Sequence, residues 1–276
     1  MIDTAKRKVR RGPLRAQGGR SKARTMGEPS DCSAAQVRGA SRMLDAQKEG
    51  GRLALIRAGE RLFARDGINA VSLRQIAIEA GNGNTYAVGY HFESRLGLVQ
   101  AIFEQRVMEM EPRRRQMLAE AEAAGLLQDA RTLVDMIMLP HLDLVDEDGR
   151  HPHANFVNQY LTQHRPMGVL HAVDRPNTNS QSLKRIHRLL RRRIHYVPEA
   201  IRERRIHVCT QMFYNLLVEH DNATVRIDEE VWQAQIRDTL DVMAVALCAP
   251  CAYPNSQPID LDDDVDEPLF VANRPT

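Results

Sequence analysis

Apolar residues in the middle and C-terminal parts of this chain recur three and four positions apart, with charged residues between them, a period that predicts helices and no strand alternation. Leu55, Gly59, Leu62 and Phe63 fall on one stripe, leaving Arg52, Arg57, Glu60, Arg61 and Arg65 on the other faces. Asp66-Gly67 ends this first helix, because glycine tolerates the left-handed geometry of a helix C-terminus. Ser72 opens the second. Its hydroxyl can accept the amide of Gln75 while the Gln75 side chain reaches back, a capping box. Leu73, Ile76, Ala77 and Ala80 form the buried face, and Gly81 ends the helix where a tight turn is needed. A third helix is predicted from Asn84, its cap, to Tyr90. Ser94 caps a fourth, with Leu98, Val99, Ile102 and Phe103 facing inward.

The helical period continues beyond. Stretches 95–127, 129–144, 153–170, 180–196, 198–219 and 228–247 each carry it, and Pro198 suits the first turn of its helix. The breaks fall at Asp146-Glu147-Asp148-Gly149-Arg150, at 174–179 and at Asp221-Asn222-Ala223, and no internal repeat is visible. The expected fold is all-α.

Residues 52 to about 110 resemble the DNA-binding domain of the tetracycline-repressor-type (TetR) family of bacterial transcription regulators. The resemblance is carried by Ala58 with Leu62-Phe63, Gly67, the run Ser72-Leu73-Arg74-Gln75-Ile76-Ala77, Ala80-Gly81, and Tyr90-His91-Phe92 followed by Ser94-Arg95-Leu96. It implies an N-terminal three-helix helix-turn-helix domain followed by a helical bundle for ligand binding and dimerisation. The implied boundaries are 1–50, a basic disordered arm; 51–110, the DNA-binding domain; 111–252, the effector and dimerisation domain; and 253–276, an acidic disordered tail. In one place the chain departs from the pattern. Nine residues separate Gly81 from His91-Phe92, one more than is usual in the family, so the turn around Asn82-Gly83-Asn84 or the start of the reading helix is altered.

A helix laid in the major groove presents its first turn to base edges, while flanking helix ends hold phosphates. Asn84, Thr85 and Tyr86 are therefore the candidates for base contact: Asn pairs with adenine, and Thr offers a hydroxyl and a methyl. Ser72, Arg74, Tyr90, His91 and Arg95 match family positions that touch the DNA backbone. The plainer reading of Tyr90 and His91 is packing within the headpiece.

Charge changes the picture at the ends. Residues 1–50 carry twelve Lys/Arg against five Asp/Glu, a balance of +7, and 253–276 carry six acids against Arg274, a balance of −5. The arm, with Lys6-Arg7-Lys8-Val9-Arg10-Arg11, could follow phosphates or enter a minor groove. The plainer and favoured reading is a solvated extension, since Met26 or Met43 could equally begin translation. No apolar run is long enough to cross a bilayer and no signal peptide is visible, which makes the cytoplasm the expected compartment and excludes a membrane partner.

The family resemblance implies a homodimer through the last two long helices, binding a palindromic double-stranded operator. Ile201, Val208, Met212, Leu216 and Glu219 mark one face for that contact, and Val231, Ile236, Leu240, Met243 and Leu247 another, although one stripe is expected to serve the monomer's own core. It also implies a small-molecule effector among the middle helices, where Met136, Phe156, Tyr160, Met167 and Phe213 are the leading candidates, with Met138, Leu139 and Tyr214 beside them. Met and aromatics at helical spacing are more often plain core. Arg188 with Arg191-Arg192-Arg193 reads as a solvated face, with an anionic effector conceivable.

His141, His151, His153, His164 and His171 suggest a metal, but His151-Pro152-His153 lacks the helical spacing of an imidazole pair, so no metal or cofactor is expected. Cys248-Ala249-Pro250-Cys251 has C-x-x-C spacing but follows a helix instead of opening one, so inert thiols are expected, with Cys32 and Cys209 isolated. The leading function is a regulator, a repressor released from its operator by a small molecule. The alternative is a redox- or metal-responsive regulator using Cys248 and Cys251 or the His cluster. No Gly-rich phosphate loop, nucleophile elbow or catalytic acid pair is present, so an enzyme is not expected.

Overall fold

The computed structural model describes residues 31–165 and 180–251, with side chains described from residue 49. The chain divides into two units, 1–46 and 47–276, and the side-chain structure belongs to the second. Among the described residues every regular element is helical. Most of the basic arm, the acidic tail and Met167 lie outside the described residues.

Helix α1 spans Asp31–Asp66, so it begins inside the stretch expected as an arm. It stops at Gly67, whose φ of +95° is open to glycine without strain and whose amide closes on the Phe63 carbonyl at 3.0 Å. Helix α2 (Leu73–Glu79) carries the capping box expected of it: Gln75 donates its amide to Ser72 Oγ, and Ser72 donates its own to Gln75 Oε1 at 2.8 Å. Helix α3 (Ala87–Phe92) is six residues long and starts three residues later than expected. The cause is local. Asn82 Oδ1 accepts the amide of Asn84 at 2.9 Å, and Asn84 Oδ1 accepts that of Tyr86 at 3.0 Å. These side-chain turns satisfy the backbone in a non-helical path.

Helix α4 (Arg95–Ala123) is capped by Ser94 Oγ on the Gly97 amide at 3.0 Å. Helix α5 (Ala130–Met138), capped by Asp129, gives way to a tighter 3₁₀ turn over Leu139–Asp143, because Pro140 has no amide to continue the ladder. Helix α6 (Pro152–Gln159) runs into one widened turn at Tyr160–His164. Helices α7 (Gln181–Arg193), α8 (Glu199–Asn222, behind Pro198) and α9 (Glu229–Cys248, capped by Asp228) follow.

Helix α3 packs on α2 and α4; α4 packs on α5 and α7; α5 packs on α7 and α9; and α8 packs on α6 and α9. A single apolar cluster runs through both ends of the described structure. Its aromatic centre is Phe103, with Tyr160 edge-on at 4.7 Å and Phe156 at 5.1 Å. Phe156 in turn stacks on Phe63 of α1 at 6.2 Å.

Helix α6 also grips α1 by polar contacts. Asn155 and Gln159 both donate to the Ala64 carbonyl, at 2.7 and 2.9 Å, in the last turn of α1 where carbonyls lack helical partners. Glu60, expected on an outward face, is instead 1 % exposed, because His153 and Arg106 receive it inside the protein. Of the two stripes on the last helices, Ile236, Leu240, Met243 and Leu247 enter the core, whereas Val231 is exposed. Outside the core surface of α8 and α9, Val208, Val242 and Val245 remain exposed.

Among the described residues, no helix is long and apolar enough to cross a membrane.

Candidate functional site

Two regions gather chemistry. The first is the outer side of α2 and α3. Tyr86 and Tyr90 lie four positions apart and are 83 % and 78 % exposed. Large aromatics cost apolar hydration when left in water, so two of them, one capping α3 and one on it, mark a surface that something can cover. Ser72, Arg74 and Asn84 are exposed beside them, and Thr85 and His91 are half-buried. The His91 ring meets Tyr90 edge-on at 5.0 Å and lies 6.0 Å from Phe92, so it packs as well as faces outward.

Arg95 behaves differently from the expectation for it. Its guanidinium turns inward and donates to the carbonyls of Asn69 and Val71 at 3.2 and 2.9 Å, holding the α1–α2 loop. Those carbonyls lie outside any helix, so the side chain satisfies acceptors that the loop leaves open.

The second region is interior. A cavity of about 90 Å³ lies between α4, α5, α6, α7 and α8. Its apolar wall includes Val107, Met110, Leu183 and Ile206, and its polar lining includes Arg114, His141, His187 and Tyr214. Arg114 is 1 % exposed. Its Nη2 reaches the Ile137 carbonyl at 3.3 Å and lies 3.4 Å from His141 Nε2, while Nε and Nη1 have no hydrogen-bond partner. Burial lowers the Arg114 pKa to about 10, which leaves it charged at neutral pH. His187 Nδ1 is likewise buried without a partner. Burial, with the nearby Arg191, Arg114 and Arg165 charges, lowers His187 to about 3, so its ring is neutral.

A polar chain joins this cavity to α1. His141 Nε2 lies 3.1 Å from the Tyr214 hydroxyl, and its ring stacks on His153 at 5.8 Å with the planes 6° apart. His153 Nδ1 meets Glu60 Oε1 at 2.7 Å, and Arg106 Nε spans both Glu60 oxygens at 2.9 and 3.0 Å. Burial alone would raise the Glu60 pKa, but the hydrogen bonds from His153 and Arg106 outweigh it and hold the carboxyl at about 2. Burial lowers His153, against the pull of Glu60. The pair is therefore a carboxylate and a neutral imidazole.

The leading pocket candidates fall elsewhere. Met136, Phe156, Tyr160 and Phe213 are buried in the apolar core and do not line this cavity, whereas Met138 and Tyr214 do. Arg114 and His187 were not singled out by the sequence. Their mark was an Arg and a His at positions where the helical period calls for apolar residues. Among the described residues, no three His, Cys, Asp or Glu side chains form a metal-holding group. Cys248 and Cys251 are unpaired and half-buried, and Cys209 is buried with its thiol pushed up to about 11 by that burial.

No protein-family model matches the chain, and no curated protein matches it.

Proposed function

We propose that this chain is a ligand-responsive transcription regulator of the tetracycline-repressor type, a repressor that leaves a palindromic operator when a small molecule binds. Helices α2 and α3 act as the helix-turn-helix unit. The observation that carries the reading is the joint exposure of Tyr86 and Tyr90 behind the capped α2, which itself carries the exposed Arg74. Tyr hydroxyls and Arg donate to phosphate oxygens, and Tyr rings pack on sugars and base methyls, so this face has the chemistry a duplex requires.

Because α3 starts at Ala87, Asn84 and Thr85 approach the groove from the preceding turn and not from the helix itself. Ser72, Tyr90 and His91 contact the backbone to either side. Two copies associate through α8 and α9, where the exposed Val208, Val242 and Val245 offer apolar surface, and the two-fold pair spans successive major grooves.

The cavity is the ligand site, and the chain Arg114–His141–His153–Glu60 supplies the link to α1. A ligand that moves Arg114 or His141 alters the support under His153, and through Glu60 the position of the helix that carries the headpiece.

Selection of bound fragments from random duplex DNA tests the reading. The expected product is a palindrome with half-sites about one helical turn apart, ~34–36 Å, bound with a steep salt dependence. Recovery of no enriched sequence overturns it.

A further inference from the structure

A guanidinium held away from water is costly unless an anion neutralises it, and the cost is highest where its donors have no acceptor. Arg114 meets this description: it lines the cavity, is almost fully buried, and has two of its three nitrogens without a partner. Glu111, one turn away on the same helix, acts on it electrostatically, yet its Oε1 accepts the Ser182 amide at 2.8 Å and its Oε2 is unpartnered. This buried acid is thus not hydrogen-bonded to the charge. Among the described residues that line the cavity there is no Asp or Glu, while Arg165 adds a second cation at its edge.

We infer that the cavity binds a small monocarboxylate, its oxygens on the open donors of Arg114 and His187 and its apolar end against Val107, Leu183 and Ile206. A carboxylate accepts and never donates, which matches a lining whose Arg114 guanidinium and, in the Nδ1–H tautomer, His187 imidazole have buried donors without acceptors. Arg114 is the one deeply buried cation of the lining and calls for one negative charge; Arg165 is half-exposed at the edge and donates to the Tyr160 hydroxyl, and the neutral His187 adds a donor without adding charge, which favours a monoanion.

Size narrows the class further. An apolar cavity of about 150 Å³ accommodates benzene, so one of about 90 Å³ holds roughly four non-hydrogen atoms before its walls give way. The fitting ligands are short-chain acids of the acetate and propionate class.

The inference takes up the ligand role proposed above and rests on it for any consequence at DNA, but binding itself is measured without DNA. Isothermal titration of the full chain with sodium propionate, propionamide and propylamine decides it. Propionate binds saturably and about tenfold to a hundredfold tighter than the isosteric amide, the usual worth of a hydrogen bond to a charged group, and the amine does not bind. In Arg114→Met the preference for the acid disappears. Equal affinity for acid and amide in the unaltered chain, or no binding of propionate, overturns the inference even where Arg114→Met does not fold. Fluorescence anisotropy with a selected duplex separates the two readings: propionate binding without DNA binding keeps this site and removes the regulator, and DNA binding without acid preference does the reverse.

Discussion

His153 and Glu60, 93 positions apart in the chain, meet at 2.7 Å between Nδ1 and Oε1 with both side chains buried. The Glu60 carboxylate can only accept, so the imidazole carries its proton on Nδ1. Arg106 supplies the compensating charge from α4, and three helices are thereby fixed around one carboxylate.

Removing that carboxylate leaves a buried imidazole without an acceptor and Arg106 with Glu109 as its remaining acid partner. Glu60→Ala is expected to cost about 3–5 kcal/mol, the usual loss when one partner of a buried pair is deleted. Glu60→Gln, which keeps an acceptor for His153, should lose less. Urea denaturation followed by circular dichroism measures both, and equal stability of Glu60→Ala and the parent would contradict the pairing.

Acid should weaken the fold in two steps. His187 and His153 have folded pKa values below the ordinary 6.5, so on acidification the unfolded chain takes up protons first. Their stabilising effect is complete above about pH 6.5 and declines below it, down to about 3 for His187. For His187 alone the loss between pH 7 and pH 5 is about 2 kcal/mol. Glu60, held at about 2 against an ordinary 4.5, adds a further loss only below about pH 4.5. His187→Leu should therefore make the stability profile shallower from about pH 6.5 down to about 3, leaving the slopes due to His153 and, below about 4.5, to Glu60. A profile unchanged by that substitution rules out His187 as the titrating group.

Local punctuation was legible in the chain; partnership across it was not. Ser72 with Gln75, Gly67, Gly81 and Ser94 each act through neighbours within five residues, and each caps or ends the helix expected of it. The start of α3 was misplaced because Asn82 and Asn84 compete for the backbone at a spot where a periodic pattern sees only polar residues. The burial of Glu60 and Arg114 is not legible in the chain, since a helical period assigns charges to water and their partners come from other helices. Periodicity reports burial, and burial does not tell the core, where Met136 and Phe213 lie, from a cavity wall.

The α3–α4 corner admits no side chain at Gly97. A Cβ there would stand 1.9 Å from the Phe92 carbonyl oxygen, a backbone atom fixed by its bond from the Ser94 amide at 2.6 Å. Glu93 between them already occupies φ +63°, so the turn has little freedom left to yield. Gly97→Ala is expected to destabilise by about 2 kcal/mol or more. Chemical denaturation checks this, and parent-like stability would mean that the corner rearranges freely.

Val245 lies on α9 with 70 % of its surface exposed, on the side away from the core residues Met243 and Leu247. Under the proposed pairing it is buried between two copies, where an arginine leaves a charge facing its symmetry mate. Val245→Arg should convert a dimer to a monomer in sedimentation equilibrium with helical content retained. A variant that keeps the parent's mass places the contact on another surface.

The reading face makes the most specific demand. Tyr90 is too exposed to support the fold, so Tyr90→Ala should change stability by no more than about 0.5 kcal/mol. As an uncharged backbone contact it should weaken binding to every duplex alike and leave the salt dependence unchanged. Thr85 sits in the turn ahead of α3, and its loss should instead relax preference at one operator position, worth about 1–3 kcal/mol of discrimination at that base. Measuring both variants against the selected palindrome and its single-base substitutions separates the roles. If Tyr90→Ala changes sequence preference while Thr85→Ala weakens all sequences equally, the two positions have exchanged roles and α3 lies in the groove in the opposite sense. If neither variant changes affinity, the duplex is held by a different surface and the exposed tyrosines serve another partner.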